Sequence, residues 1–242
     1  MSSSHGRVTY GKENIEFSFF HVDRKTLEIA VHPDQTVVVK APLGIDDDAI
    51  RTRIARRAGW IIRQRNFFRQ FDPRTPARSY VGGETHLYLG RNYRLRIGGG
   101  NGDAVTLMRG YFEIEVKGDI SPEKIKSLLE GWYRDRAAGK FRESFDRCWL
   151  HFEKSWGMAC RAPKPRLQIR HMQKRWGSLS LNGRLTLNTD LIRAPRGCID
   201  YVIVHELSHL ECNNHGPEFY RLLDKVMPDW EKRKHRLEVI LA

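Results

Sequence analysis

Two histidines four residues apart, with a glutamate directly after the first, are the side chains in this sequence best placed to do chemistry. They are His205, Glu206 and His209, and another histidine, His215, follows closely. On a helix, residues four apart share one face, so His205 and His209 can aim two imidazole nitrogens at one point. Such a pair suits Zn²⁺, which takes nitrogen ligands at about 2.0–2.1 Å and keeps one position open in catalytic sites. Glu206 is rotated away from the pair but stays at the same end, where it can take a proton from a water that the metal activates. The spacing is the H-E-x-x-H arrangement of zinc metalloproteases.

A third ligand requires a turn. Cys212, Asn213 and Asn214 come before His215, and asparagine tolerates the left-handed conformation that ends helices. A helix stopping there lets His215 swing back to the metal, while Glu218, near the start of the next helix, is the competing third ligand. The His209-to-His215 spacing matches the longer metzincin signature, but Cys212 stands where that signature has glycine, and Met227-Pro228 reads as a helix end, not a Met-turn. Cys212 itself falls one residue off the His-bearing face.

The positioning element must be a packed helix. Ile199, Val202, Ile203, Leu207 and Leu210 form an apolar stripe, with the histidines at its margin. Upstream, Arg166–Arg170 and Arg184–Asn188 alternate, and Asn182-Gly183 between Ser180 and Arg184 is a strong hairpin signal. A hairpin leading straight into the metal helix can offer an edge strand to an extended peptide. His171 beside it reads as structural. After His215, two further helices are expected, with Phe219, Leu222, Leu223 and Val226 inward on the first and Leu237 and Ile240 on the second.

The first half reads differently. Ile15–Phe19, Leu27–Val31 and Val37–Ala41 suggest an antiparallel meander, with His32 in a turn. A helix with acids in its first turn runs from Ile45 to about Phe68 on Ile50, Ile54, Ala58 and Ile61. A loop over Phe71–Pro76 follows, then a hairpin of Val81–Gly90 and Asn92–Ile97, with His86 expected at the surface. The Gly98–Asp103 stretch has no helix after it, as a phosphate cradle requires, and reads as a tight hairpin turn between strands. Ser121 and Pro122 open a helix to about Trp156, interrupted near Gly139, whose Leu128, Trp132, Phe141, Phe145, Trp149 and Phe152 make a core face. No internal repeat is visible.

Composition sets limits. The 242 residues, 40% of them hydrophobic, suffice for one large or two small domains. No stretch approaches the roughly 20 apolar residues of a membrane span, and the start lacks the apolar core of a signal peptide. The four cysteines, Cys148, Cys160, Cys198 and Cys212, show no metal-type spacing and suggest reduced thiols in a cytoplasm. The formal charge of +13 favours acidic partners, nucleic acid among them. Arg51, Arg53, Arg56, Arg57, Arg63, Arg65 and Arg69 crowd one helix, and Arg161 to Arg184 contains no acid. Both are compatible with phosphate contact, and equally with a solvated basic face.

Taken together, Arg175-Trp-Gly-Ser178, Leu187-Asn188, Pro195, the Ile199–Leu210 stretch, Asn214-His215-Gly216, Phe219 and Pro228-Asp229 resemble the YgjP-like metallopeptidase family, relatives of the SprT-like and WLM zinc peptidases. Ala41-Pro42, Trp60 and the turn at Leu89, Gly90 and Tyr93 fit as well. Leu179 departs from the cysteine the family usually carries after Trp-Gly-Ser. The resemblance implies an α+β fold in which a strand-rich half joins a helical, zincin-like half. It also implies one Zn²⁺ held by His205, His209 and His215, with Glu206 as catalytic base and a protein or peptide substrate.

The expected domains are 1–118 and 119–242. Arg175, Trp176, Gly177, Ser178 and Tyr220 are expected to contact substrate, with Arg175 and Tyr220 as candidates to steady the oxyanion. Asp190 and Asp224 are expected to orient the histidine rings. Two other readings stand beside this one. The first is a basic nucleic-acid-associated protein with a zinc site, one that would act on DNA-bound proteins as the SprT-like relatives do. The second is a metal hydrolase acting on another bond.

Overall fold

The computed structural model describes residues 4–32, 34–69, 78–156 and 163–241. The expected loop at Phe71–Pro76, Cys160 and Arg161 lie outside them. The chain is α+β and divides into two compact units, Met1–Thr75 and Pro76–Ala242. The division therefore falls well before the 118/119 boundary expected from the sequence. The reason is burial: Phe112, Ile114 and Val116, on the early side of that boundary, share one core with Trp132, Phe141 and Phe152 on the other.

In the first unit, β1 (Ser4–Tyr10), β2 (Glu13–Val22), β3 (Glu28–Val31) and β4 (Val37–Pro42) form a sheet ordered β1-β2-β4-β3. β2 and β4 run parallel, so the strands are not the expected antiparallel meander. Alternation predicts which face of a strand is buried, but it does not choose the partner. The strands that bury most, β2 through Ile15, Phe17 and Phe19 and β4 through Val37, Val39 and Ala41, take the centre, and the more polar β1 and β3 take the edges. Helix α1 (Asp47–Arg69) is capped by the Asp46 carboxylate, which accepts from the Asp48 N–H at 3.1 Å. It buries Ile50, Ile54, Ala58 and Ile61. Of its arginines, Arg65 is structural and donates to the carbonyls of Gln35, Asn14 and Glu16.

The second unit opens with the same strand order. β5 (Thr85–Tyr88), β6 (Arg91–Gly99), β7 (Ala104–Met108) and β8 (Tyr111–Val116) are arranged β5-β6-β8-β7, with β6 and β8 parallel. The glycine-rich stretch after Gly98 is therefore a crossover past β8, not a hairpin turn. Each unit follows its four strands with a helix, a repeat of topology that the sequence does not display. His86, expected at the surface, is 4% exposed. It shares the inward phase of β5 with Tyr88, packs on Tyr80, and sets Nε2 3.4 Å from Glu84 Oε2. Burial holds it below the usual histidine range, against the pull of Glu84.

Helix α2 (Pro122–Trp156) is continuous through Gly139. It leads to a small sheet in which β10 (Gly177–Ser180) pairs antiparallel and β9 (Arg166–Arg170) parallel with the central β11 (Arg184–Asn188). A 3₁₀ helix, Thr189–Arg193, then delivers the chain to α3 (Arg196–Ser208), followed by α4 (Pro217–Val226) and α5 (Trp230–Leu241). None of the described helices is long and apolar enough to cross a membrane.

One tight turn fixes where α3 begins. Leu89 and Gly90, with φ of 48° and 77°, form the two-residue loop of the β5–β6 hairpin, a conformation that favours glycine. Their N–H groups donate to the carbonyls of Ile192 and Arg193 at 2.9 Å each. A Cβ on Gly90 would come within 2.5 Å of Pro195 Cγ and 3.0 Å of its Cα. Gly90→Ala should therefore cost about 2–4 kcal/mol, from left-handed strain plus overpacking against Pro195. Denaturant unfolding measures this, and a loss under about 0.5 kcal/mol, the range of an unconstrained surface site, would contradict the role given to this turn.

Candidate metal centre

Helix α3 is buried on nearly every side. Cys198, Ile199, Tyr201, Val202, Ile203, Val204 and Leu207 are all buried, a wider burial than the expected stripe, because α2, α4, α5 and the β9–β11 sheet surround the helix. Arg147 Nη2 of α2 reaches both carboxylate oxygens of Asp200 at 2.7 and 2.9 Å and ties the two helices together. The last turn of α3, which carries His205 and Glu206, opens onto a cleft.

The helix ends at Ser208 with His209 as its cap. No left-handed asparagine is used. Instead the N–H groups of His209, Leu210 and Glu211 bond three residues back, tightening the exit into 3₁₀-like turns. These turns bring His215 back, and one ring nitrogen from each of His205, His209 and His215 lies within 4.8 Å of the others. His205 Nε2 and His215 Nε2 are 3.0 Å apart. Glu218, the competing ligand, is 81% exposed, lies 3.8 Å from Arg221 and stands outside this group.

The donor set fits a metal ion. His209 Nδ1 lies 2.9 Å from the Cys212 carbonyl. A carbonyl only accepts, so Nδ1 carries the proton and Nε2 is left with its lone pair. Burial first, then the neighbouring His215 and His209, push His205 down to about 4. Burial followed by His209 also lowers His215, so both rings sit as neutral donors. Phe219 packs on all three rings at 4.6–5.0 Å. His205 Nδ1 has no hydrogen-bond partner among the described residues. Neither expected orienting carboxylate comes near: Asp190 pairs with Arg193 and His171, and Asp224 accepts from Trp230 Nε1.

Glu206 is 8% exposed. Burial pushes its carboxyl up to about 7, against the backbone N–H of Leu179 and the Arg175 guanidinium, both of which favour the charged form. A carboxyl poised near neutrality can both accept and return a proton. Leu179 acts here through its main chain, so the departure from cysteine at this position leaves the bond intact.

Gly177 makes this approach possible, since a Cβ there would lie 2.8 Å from Glu206 Cγ and Oε1 and 2.9 Å from Val202 Cγ1. Arg175, Gly177, Ser178, His205, Glu206 and His209 line a cleft of about 850 Å³. A hollow of about 280 Å³ adjoins it, walled by Trp176, Tyr201 and Leu237 with Lys234. Tyr220 is not brought in; its ring stacks on Trp230.

Several contributors were not assigned a role from the sequence. Lys234 and Leu237 approach from α5, which only the tertiary fold could reveal. Asn188, 2% exposed, donates to the carbonyls of Met172 and Arg175 at 2.7 and 3.1 Å and accepts from the N–H of Asp190 at 3.1 Å. It thereby holds the loop that carries Arg175 and Trp176. Its place just before the Thr189–Arg193 helix is a capping signal that could have singled it out.

A family model described as YgjP-like, metallopeptidase domain, matches residues 25–239. Among solved structures, the chain is similar to the metallopeptidase zymogen jannalysin of Methanocaldococcus jannaschii, at 20% identity and a TM-score of 0.35, over 42% of this chain and 88% of that one. The metallopeptidase zymogen abylysin of Pyrococcus abyssi is similar at 21% identity and a TM-score of 0.34, over 38% of this chain and 90% of that one. No curated protein matches.

If Glu206 is a reacting group, Gly177→Ala should leave bound metal unchanged and lower turnover about 100-fold, since a displacement of about 1 Å costs that much. Metal analysis with peptide kinetics tests this. Turnover equal to wild type would mean that Glu206 does not need the space Gly177 leaves.

Proposed function

The chain belongs to the YgjP-like metallopeptidase family, and on that premise we propose that it is a zinc-dependent peptidase. His205, His209 and His215 hold one Zn²⁺ per chain, and Glu206 is the general base. The observation that carries the reading is the convergence of three imidazole donors within 4.8 Å beside a carboxyl that burial pushes up to about 7. Zinc fits three nitrogens with a position left over, whereas structural zinc sites close all four positions, often with cysteine. Among the described residues Cys212 is not part of the donor group.

When bound, the ion supplies Lewis acidity toward a water and a scissile carbonyl. The chain's own residues do the rest. The Glu206 carboxylate takes a proton from the attacking water, and the resulting carboxylic acid gives it to the departing amine. The Leu179 N–H and Gly177 hold that carboxylate over the cleft. Arg175 adds positive charge on the same side, suited to a developing oxyanion. β10 is an edge strand, since only β11 pairs with it, and it offers an extended substrate a main-chain partner along the cleft. The free thiols of Cys148, Cys198 and Cys212 accord with a reducing, cytoplasmic setting.

Glu206→Gln should keep one zinc per chain and slow peptide hydrolysis about 10²–10⁴-fold, the contribution of a general base. Replacing His209 or His215 with alanine should lower zinc content itself, and chelation should abolish turnover until zinc is restored. Plasma emission spectrometry and a quenched-peptide assay read both. Turnover of Glu206→Gln within ten-fold of wild type would sink the mechanism.

A further inference from the structure

Beside the cleft runs a segment rich in cations. Arg166, Arg170, Lys174, Arg175 and Arg184 make no ion pair among the described residues, whereas Lys164 just before them is paired with Asp146. Arg166 and Arg184 even stand side by side in the β9–β11 register, where like charges destabilise a sheet.

This segment leads away from the catalytic carboxylate along continuous walls. A hollow of about 430 Å³ shares Arg175 and Trp176 with the space beside Glu206. At its other end it shares His171 and Asp190 with a further hollow of about 590 Å³, whose walls include Arg134, Arg170, Arg193 and Lys126. Arg193 is taken up by Asp190, and Lys126 lies 3.9 Å from Glu130. Arg134 and Arg170 are exposed and, among the described residues, remain as two uncommitted guanidinium forks.

We propose that this hollow is a subsite for an acidic side chain of the substrate, read by Arg134 and Arg170. The enzyme would then favour peptides carrying Asp or Glu at a distance from the scissile bond. The proposal rests on the peptidase reading above. An arginine fork matches a carboxylate through two parallel N–H donors, and Arg175 continues the positive field to Glu206. A peptide carboxylate suits the hollow better than a nucleic-acid strand does. A strand needs a cation for each phosphate, but Arg193 and Lys126 on these walls already face Asp190 and Glu130, whereas one carboxylate needs only one fork. Strand binding also calls for a row of exposed aromatic faces for successive bases, whereas the two tyrosines that line this hollow are already engaged, Tyr133 buried beneath the Arg193 guanidinium and Tyr80 packed on His86.

The test uses the zinc-loaded protein and quenched peptides with one cleavable core, flanked on either side by Asp and Glu or by Ser and Gln. The acidic peptides should show kcat/KM about 10- to 100-fold higher at low salt, the worth of a charge-assisted hydrogen bond. The advantage should shrink in about 0.5 M NaCl and fall toward one in an Arg134→Gln, Arg170→Gln double variant. Should that variant fold poorly, Arg170→Gln alone must still lower the ratio. Equal kcat/KM for acidic and neutral peptides leaves the peptidase standing and removes the subsite.

Anisotropy with the Glu206→Gln protein reads binding without turnover. Acidic peptides that bind more tightly than neutral ones while wild type cleaves neither would sustain the subsite and overturn the peptidase. A single-stranded oligonucleotide that binds more tightly than an acidic peptide of equal charge, and loses that binding in the double variant, would assign the hollow to nucleic acid and overturn the proposal.

Discussion

The burial of α3 is the constraint on which everything else rests. Ile199, Val202, Ile203 and Leu207 are each worth about 1.5–3 kcal/mol when withdrawn from water, and all four are buried. Such a helix cannot rotate to suit a ligand. Its last turn is presented to the cleft in one orientation, with His205 and Glu206 fixed before any ion arrives. The unpartnered His205 Nδ1 costs about 1–3 kcal/mol, less than the packing on either side of it supplies. That balance explains how the ring stays between Tyr201 and Phe219 without an acceptor.

Withdrawal from water also governs protonation. The same desolvation raises Glu206 and lowers His205 and His215, so these three groups are driven toward their neutral forms. Neutral imidazoles bind a cation without first releasing protons, and a dication placed there would in turn favour the Glu206 carboxylate. Binding of a metal ion and ionisation of Glu206 would thus be coupled through one low-dielectric pocket, to which Arg175 and Lys234 add positive charge at the rim.

Much of this is legible in the amino-acid order because it is local. The His205–Glu206–His209 spacing, the Asn182-Gly183 hairpin and the Ser121-Pro122 helix start each lie within one element, where periodicity and capping decide. What escapes depends on partners distant in the chain. The strand orders β1-β2-β4-β3 and β5-β6-β8-β7 are set by which strands bury most, so alternation alone suggests a meander and a hairpin at Gly98 that the fold does not contain. His86 reads as surface-exposed because a polar residue in a short strand gives no hint that its phase is inward. Backbone groups leave no trace in side-chain patterns, so the Leu179 N–H on Glu206 and the Cys212 carbonyl on His209 could not be anticipated. Asp190 and Asp224, expected to orient the rings, have nearer partners in Arg193 and Trp230.

The claim that three imidazoles form the centre is most directly tested by X-ray absorption at the zinc edge of the metal-loaded protein. Three imidazole nitrogens at about 2.0–2.1 Å should be present in wild type, and the nitrogen shell should lose one member in His215→Ala. A sulfur shell at about 2.3 Å, or a spectrum that His215→Ala leaves unchanged, would contradict the assignment.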